Sequence, residues 1–309
     1  MLRYISQRLF YGFITLFIII SITFLLLQFM PGTPFKDDKL SQNQIRILNE
    51  KYGLDEPFHI QYINYMGNVL RGDFGVSFTY DNQEVFRDLI LPRLPVTIKV
   101  GALALFFGTL MGIFLGALSA IKRNTPWDHL TTITAIVGVS VPSFVFATLL
   151  QYWVGVRGGW LPVIYVRDDF RSLILPAISL SVFVISSTAR FMRTELVEVL
   201  SSDYTLLAKA KGLSNSQVIK RHSLRNALIP VITILGPMTI TLLTGSVVVE
   251  RIFGIAGVSF LLVEGITRND YFVILGVAAF YSFLYISVIL IVDILYGIID
   301  PRIRLSGGK

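Results

Sequence analysis

The chain has no cysteine among its 309 residues. That excludes disulfides, thiolate metal sites and cysteine nucleophiles. Charge is scarce as well: Asp, Glu, Lys and Arg make up 15% of the residues, against about a quarter in a soluble domain. So little charge does not cover a water-facing globule. Histidine is limited to His59, His129 and His222. They stand far apart in sequence and on opposite sides of the expected topology, which argues against a metal site. No G-x-x-x-x-G-K-[ST] occurs, since the only Gly-Gly-Lys is the run Gly307 to Lys309. ATP hydrolysis by a P-loop in this chain is thereby excluded. A G-x-S-x-G elbow and a legible Ser/His/Asp constellation are missing too. The marks of an enzyme are absent.

What is present is hydrocarbon. Hydrophobic residues make up 53% of the chain, the mean hydropathy is +0.67, and apolar runs recur at the length of a membrane span. The first runs from Leu9 to Met30. It is too long for the apolar core of a secretory signal and ends in Pro31-Gly32 rather than an A-x-A site, so it reads as an uncleaved span. Later spans are expected near Val96–Ile121, Leu130–Trp153, Leu173–Thr188, Leu228–Val249 and Phe272–Ile298. The fourth is diluted by Ser179, Ser181, Ser186 and Ser187. Gly108, Gly112 and Gly116 let helices approach closely, and Pro142 and Pro176 are tolerated where neighbours satisfy the freed backbone. The expected fold class is an all-α polytopic membrane protein with about six transmembrane helices.

The expected division is as follows. Residues 1–30 hold the N-terminal end and first helix, and 31–95 a small extracytoplasmic insertion. Residues 96–299 form the membrane core with a cytoplasmic loop at 203–229, and 300–309 a cytoplasmic tail. Inside the insertion, Ser41 and Gln44 have the spacing of a capped helix that ends at Gly53, and Pro57 to Leu70 suits a second helix. The insertion is too short of core residues to fold independently. The short segments assigned to the cytoplasm carry Arg3, Arg8, Lys122, Arg123, Arg190, Arg193, Lys209, Lys211, Lys220, Arg221, Arg225, Arg302, Arg304 and Lys309. Under the positive-inside rule both termini are then cytoplasmic. The net charge of +7 is thus explained by topology, and a nucleic-acid partner is not expected. Asp293 is the one acid inside a span that needs a reason. It lies about 10 Å from the helix end, at ~1.5 Å per residue over the run to Asp300, and a structural hydrogen bond or snorkelling is expected rather than proton coupling.

One polar stretch stands out, Asp203 to Pro230, DYTLLAKAKGLSNSQVIKRHSLRNALIP. Asp203 is placed to cap a helix starting at Tyr204. Gly212 stands where that helix ends on a left-handed residue, with Leu213 folding back toward Leu207 or Ala208. Ser214 and Gln217 have capping-box spacing, and Leu213 with Val218 suits a hydrophobic staple. Pro230 fits the first turn of the next apolar helix. The pattern specifies helix, glycine turn, helix, span. It serves equally as a plain connector or as a docking knob for a soluble partner.

The residues of this stretch carry a resemblance. Ala210-Lys211-Gly212-Leu213, then Arg221, His222, Leu224, Arg225, Asn226, Ala227 and Pro230, resemble the cytoplasmic signature loop of permease subunits of binding-protein-dependent ABC importers. The likeness is greatest to the B-type permeases of the oligopeptide/dipeptide/nickel group. It extends along nearly the whole chain, through MLRYISQRL at the start, Pro31-Gly32, GDFGVS at Gly72–Ser77, VVVERIF at Val247–Phe253 and DPRIR at Asp300–Arg304. Two stretches depart from the family pattern. Leu206-Leu207-Ala208 stands where the general signature opens Glu-Ala-Ala, and Ala256-Gly257-Val258-Ser259 where Pro-Gly-Leu-Gly is expected.

The resemblance implies a type I ABC importer permease fold and a transport subunit without enzymatic activity. It implies three kinds of partner besides the lipid bilayer: a related second permease, two cytoplasmic ATPase subunits, and an extracytoplasmic peptide-binding protein. ATP and Mg would be bound by the ATPases, leaving no cofactor in this chain. Coupling to the ATPases would fall to Ala208, Ala210, Lys211, Gly212, Leu213, Ser214, Arg221, Arg225, Asn226 and Pro230. Oligopeptides are the expected substrate, with dipeptides or nickel as alternatives, and no residue marks the substrate path. A secondary transporter working alone is the rival from another class. It would show mid-membrane charges or inverted repeats, and neither is legible here.

Overall fold

The computed structural model describes residues 2–30, 42–243 and 247–299. Among them there is no strand, only an isolated bridge between Val76 and Glu84. The expected all-α class is what is found. The chain forms two compact units, Met1–Pro95 with Ala256–Leu290 and Val96–Ile255 with Ile291–Lys309.

In the first unit, α1 (Leu2–Gln28) is an apolar helix whose residues Leu9, Phe10, Phe13 and Phe17 are exposed, as a lipid-facing helix requires. Two short helices follow, α2 (Gln42–Tyr52) and α3 (Phe58–Leu70). Gly53 closes α2 with φ +66°, while Ser41 lies outside the described residues. The GDFGVS segment turns through Gly72 and Gly75, both at positive φ. A π-helical turn, Val85–Ile90, then leads into α4 (Leu91–Ile121). Later in the chain come α12 (Val258–Thr267) and α13 (Tyr271–Ile299). Val85, Leu89, Ile90, Val258, Leu261, Val273 and Val277 bury one another, so the residues after α1 share a core with α12 and α13. At the head of α13, Asp270 is fully buried. It accepts from Ser77 Oγ at 2.5 Å, Thr79 N at 2.9 Å and Val273 N at 3.3 Å. One carboxylate thereby caps the helix and pins the 77–80 loop.

The second unit contains α5 (Pro126–Ser140), α6 (Ser143–Leu150) continuing as a π-helical turn Gln151–Arg157, and α7 (Ile174–Leu200). It also contains a polar hairpin and α10 (Leu224–Leu243), followed by α11 (Val247–Ile252). Helix α4 belongs to this unit from Val96 onward, and there it lies hard against α7. A Cβ on Gly112 would come within 2.6 Å of Thr188 Cβ, and one on Gly116 within 2.5 Å of the Ala189 carbonyl oxygen. Only glycine permits that approach.

Among the described residues, five helices are long and apolar enough to cross a membrane, or six if the bent pair Pro126–Ser140 and Ser143–Arg157 is one span. One span is expected near Leu130–Trp153, and in the structure that stretch is broken, its two axes bending by 101°. Pro142 is the cause: it holds Val141 extended, at ψ 125°, and no α-helix continues through that residue. The fourth span also differs, running to Leu200 rather than Thr188. Hydropathy locates where apolar residues end, whereas Arg190 and Arg193 are good helix formers that carry α7 onward. The fifth begins at Leu224 rather than Leu228 and is described as far as Leu243; residues 244–246, within the expected Leu228–Val249, lie outside the described residues. Asp293 stands in α13, but its side chain lies outside the described residues, as do residues 300–309.

Candidate functional site

The polar stretch folds as a helical hairpin, α8 (Asp203–Ala210) and α9 (Asn215–Val218), on the end of α7. Its first residue differs from expectation. Ser202, at φ −76° and ψ 155°, is the N-cap, and Asp203 is the first helical residue. The Asp203 carboxylate sits in the first turn, where the helix dipole favours negative charge. Thr205 and Ser202 tie the hairpin down: Thr205 Oγ1 and Ser202 Oγ both donate to the Val199 carbonyl, at 2.8 and 2.6 Å.

The turn is as the spacing predicts. Gly212 has φ +82°. Its N–H donates to Lys209 O at 2.9 Å, and Leu213 N–H to Ala208 O at 3.4 Å, the paired bonds of a Schellman ending. A Cβ on Gly212 would meet nothing within 4 Å. The demand for glycine is therefore conformational and not steric. Ser214 and Gln217 form the capping box, with Gln217 Oε1 accepting from Ser214 N at 3.0 Å and Ser214 Oγ accepting from Gln217 N at 3.4 Å.

Beyond α9 the chain does not break. A π-helical turn, Ile219–Ser223, joins α9 directly to α10. Pro230 therefore lies inside α10 and not in its first turn. It removes one N–H from the ladder, which membrane helices tolerate.

The hairpin is anchored from below and bare above. Val218 is fully buried and Ala208 nearly so, while Ala120, Met192, Leu196, Ala227 and Val231 form a core with α4, α7 and α10. Facing away, Tyr204 is 44% exposed, Leu206 54% and Leu207 57%. Lys209, Ala210, Lys211, Gly212 and Ser214 are exposed beside them, and Leu213 is half-buried. The turn thus brings together Ala208 to Ser214. Arg221, Arg225 and Asn226 are exposed on the helix that follows, and Pro230 is half-buried there. An exposed apolar helix on a pinned turn suits a fitted partner surface.

Sequence reasoning missed a polar centre in the same unit. Asp128, 2% exposed, accepts from Arg193 Nε at 2.7 Å and Nη2 at 2.9 Å, from Ser119 Oγ at 2.5 Å and from Asn124 N at 2.9 Å. In sequence Arg193 shows only as an inner charge. The available signal was an acid two residues after Pro126, in the first turn of a helix. Thr97 and Glu250 form another buried contact, at 3.1 Å.

The sequence profile of the family described as "binding-protein-dependent transport system inner membrane component" matches residues 108–305, and its N-terminal companion matches residues 1–101. The chain belongs to this family. It is 44% identical over 305 residues to the dipeptide transport system permease protein DppB of Lactococcus lactis subsp. cremoris, covering 99% of this chain and 100% of that one. It is 41% identical over 306 residues to the oligopeptide transport system permease protein OppB of Haemophilus influenzae, covering 98% and 100%. Among solved structures it resembles a chain of the inward-facing MetNI methionine ABC transporter, with a TM-score of 0.60 and 17% identity over 71% of this chain and 99% of that one. That likeness shows the type I permease fold. The chain is a multi-pass inner-membrane permease subunit of an ABC importer, a transport component rather than an enzyme.

Proposed function

We propose that the chain is one half of the translocation pathway of an ATP-driven peptide importer, with oligopeptides as its substrate. A related second permease completes the pathway, and a binding protein delivers peptide from outside. Two cytoplasmic ATPases hold ATP and Mg and grip the hairpin at Ala210, Lys211, Gly212, Leu213 and Ser214, while buried Ala208 serves the coupling from beneath by seating the helix. Arg221, Arg225, Asn226 and Pro230 continue that coupling segment into α10. Both termini and the hairpin face the cytoplasm. When ATP closes the ATPases, the hairpin moves with them and the spans change access as a rigid body.

The observation that supports this reading is the exposed row Tyr204, Leu206 and Leu207 on a turn fixed by Gly212, Ser214 and Thr205. A mere connector has no use for three exposed apolar side chains held so firmly. The test is purification of the tagged chain from its own membrane. Co-purifying P-loop ATPases are expected, and their absence in a stable preparation would overturn the reading. A second reading, dipeptides as substrate, is favoured by the relative at 44% identity. Competition of labelled tripeptide and longer peptides against dipeptides for uptake separates the two.

A further inference from the structure

We infer that the cavity between α5 and α7, at the hairpin end of the second unit, binds the phosphodiester headgroup of an anionic phospholipid. The cavity has a volume of about 280 Å³ and is lined by Ser119, Thr131, Thr132, Arg190, Arg193 and Thr194, among others. That is near the lower end of the ~300–1,000 Å³ of small-molecule sites.

Its charge is unbalanced. Asp128 is satisfied by Arg193 Nε and Nη2, which leaves Nη1 of Arg193 outside that pair. Arg190 is exposed, and its guanidinium makes no hydrogen bond or ion pair among the described residues. The hydroxyl of Thr132 is equally uncommitted. Two cationic groups around one neutralised carboxylate leave a net positive lining. Lys122 and Arg123 are exposed in the turn that leads into α5. A phosphodiester accepts from both guanidinium N–H groups and a hydroxyl without giving a proton.

The surroundings decide for a lipid over a soluble anion. Along α5 the outward residues Leu130, Ile133, Ile136 and Val137 are 46–59% exposed, an apolar wall that leads away from the cavity and suits an acyl chain. Trp127 begins that wall, 59% exposed, where interfacial aromatics sit. On α7, Arg190 ends the uncharged stretch Ile174–Ala189, and it stands about 15 Å before the helix end at Leu200 at ~1.5 Å per residue. That is headgroup depth for a helix that projects from the bilayer. Basic pockets between spans at such a boundary recognise anionic headgroups.

The test uses the assembled transporter in nanodiscs. Retained lipid is measured by mass spectrometry after extraction, and thermal stability is titrated with phosphatidylglycerol against phosphatidylcholine. Wild type is expected to retain phosphatidylglycerol and to be stabilised by it selectively. Arg190→Gln should weaken this about fivefold, which is about 1 kcal/mol for one surface basic residue at 1.4 kcal/mol per tenfold. Arg190→Lys should restore part of it. Arg190 is exposed, so these variants leave the fold intact. Arg123→Gln, in the turn outside the cavity, should retain the lipid. Equal losses for Arg123→Gln and Arg190→Gln would reduce the effect to diffuse surface charge and overturn the site. Undiminished retention in Arg190→Gln, or displacement of the lipid by transported peptide, would overturn it as well.

Discussion

Arg193 grips Asp128 with two parallel N–H bonds, 2.7 and 2.9 Å long, and so joins α7 to the first turn of α5. Bidentate geometry fixes direction as well as distance. Ser119 on α4 donates to the same carboxylate, so three helices meet at one charge.

Removing one partner of such a pair leaves the other buried and unpaired, at about 3–5 kcal/mol. Arg193→Met should therefore sharply lower the melting temperature and the membrane abundance of the transporter. Asp128→Leu alone should cost less, because Arg193 keeps partial access to water, its side chain being 32% exposed. The double substitution should recover part of the loss from Arg193→Met. A double variant no better than Arg193→Met would show that the pair is not a coupled unit.

The open space around Gly212 separates conformation from bulk. Gly212→Asn should couple nearly normally, since Asn visits the left-handed region at little cost. Gly212→Val should keep abundance but lose uptake, with a strain of roughly 1–3 kcal/mol at the turn. ATP hydrolysis should then no longer respond to the loaded binding protein. Normal uptake by the Val variant at normal abundance would mean that the hairpin is only a connector.

Asp270 caps α13 and holds the 77–80 loop at once. Asp270→Ala should destabilise the first unit by about 1–3 kcal/mol, the cost of buried donors left without an acceptor. Ser77→Ala removes one of those donors and deprives only Tyr80 N–H of its acceptor, since Thr79 N–H keeps Asp270, so it should cost less. Limited proteolysis between α3 and α4 reads the difference, and equal cleavage of the two variants would contradict it.

Topology is open to cysteine labelling, because the chain has no cysteine of its own. Asn215→Cys is expected to resist a membrane-impermeant maleimide in intact cells and to react after permeabilisation. Labelling in intact cells would place the hairpin outside and overturn the orientation.

The hairpin was legible in sequence because its devices are local. Gly212 and the Ser214–Gln217 box act within a few residues, and each stands where spacing put it. Span boundaries were less legible. Pro142 reads in sequence as a tolerated proline in a membrane helix, and although its restriction of Val141 is local, no sequence rule tells whether neighbours keep the axis straight. The start of α10 was obscured for a related reason: a polar helix, a π-helical turn and an apolar helix follow one another without a break, and hydropathy marks only the last. The Asp128–Arg193 pair was illegible because its members are 65 positions apart, and pairing at that range belongs to the fold.

The unbroken run from the hairpin into the membrane makes the second arm of the hairpin a lever. Asn215–Leu242 is continuous over 28 residues, about 42 Å at ~1.5 Å per residue. A tilt of only about 5° imposed at α9 sweeps the far end through nearly ~4 Å on that length. The other arm, α8, has no such reach, because Ser202 and Thr205 tether it to Val199. A push delivered at the glycine turn is therefore geared unequally. It would be small where the soluble partner presses and largest at the far end of α10.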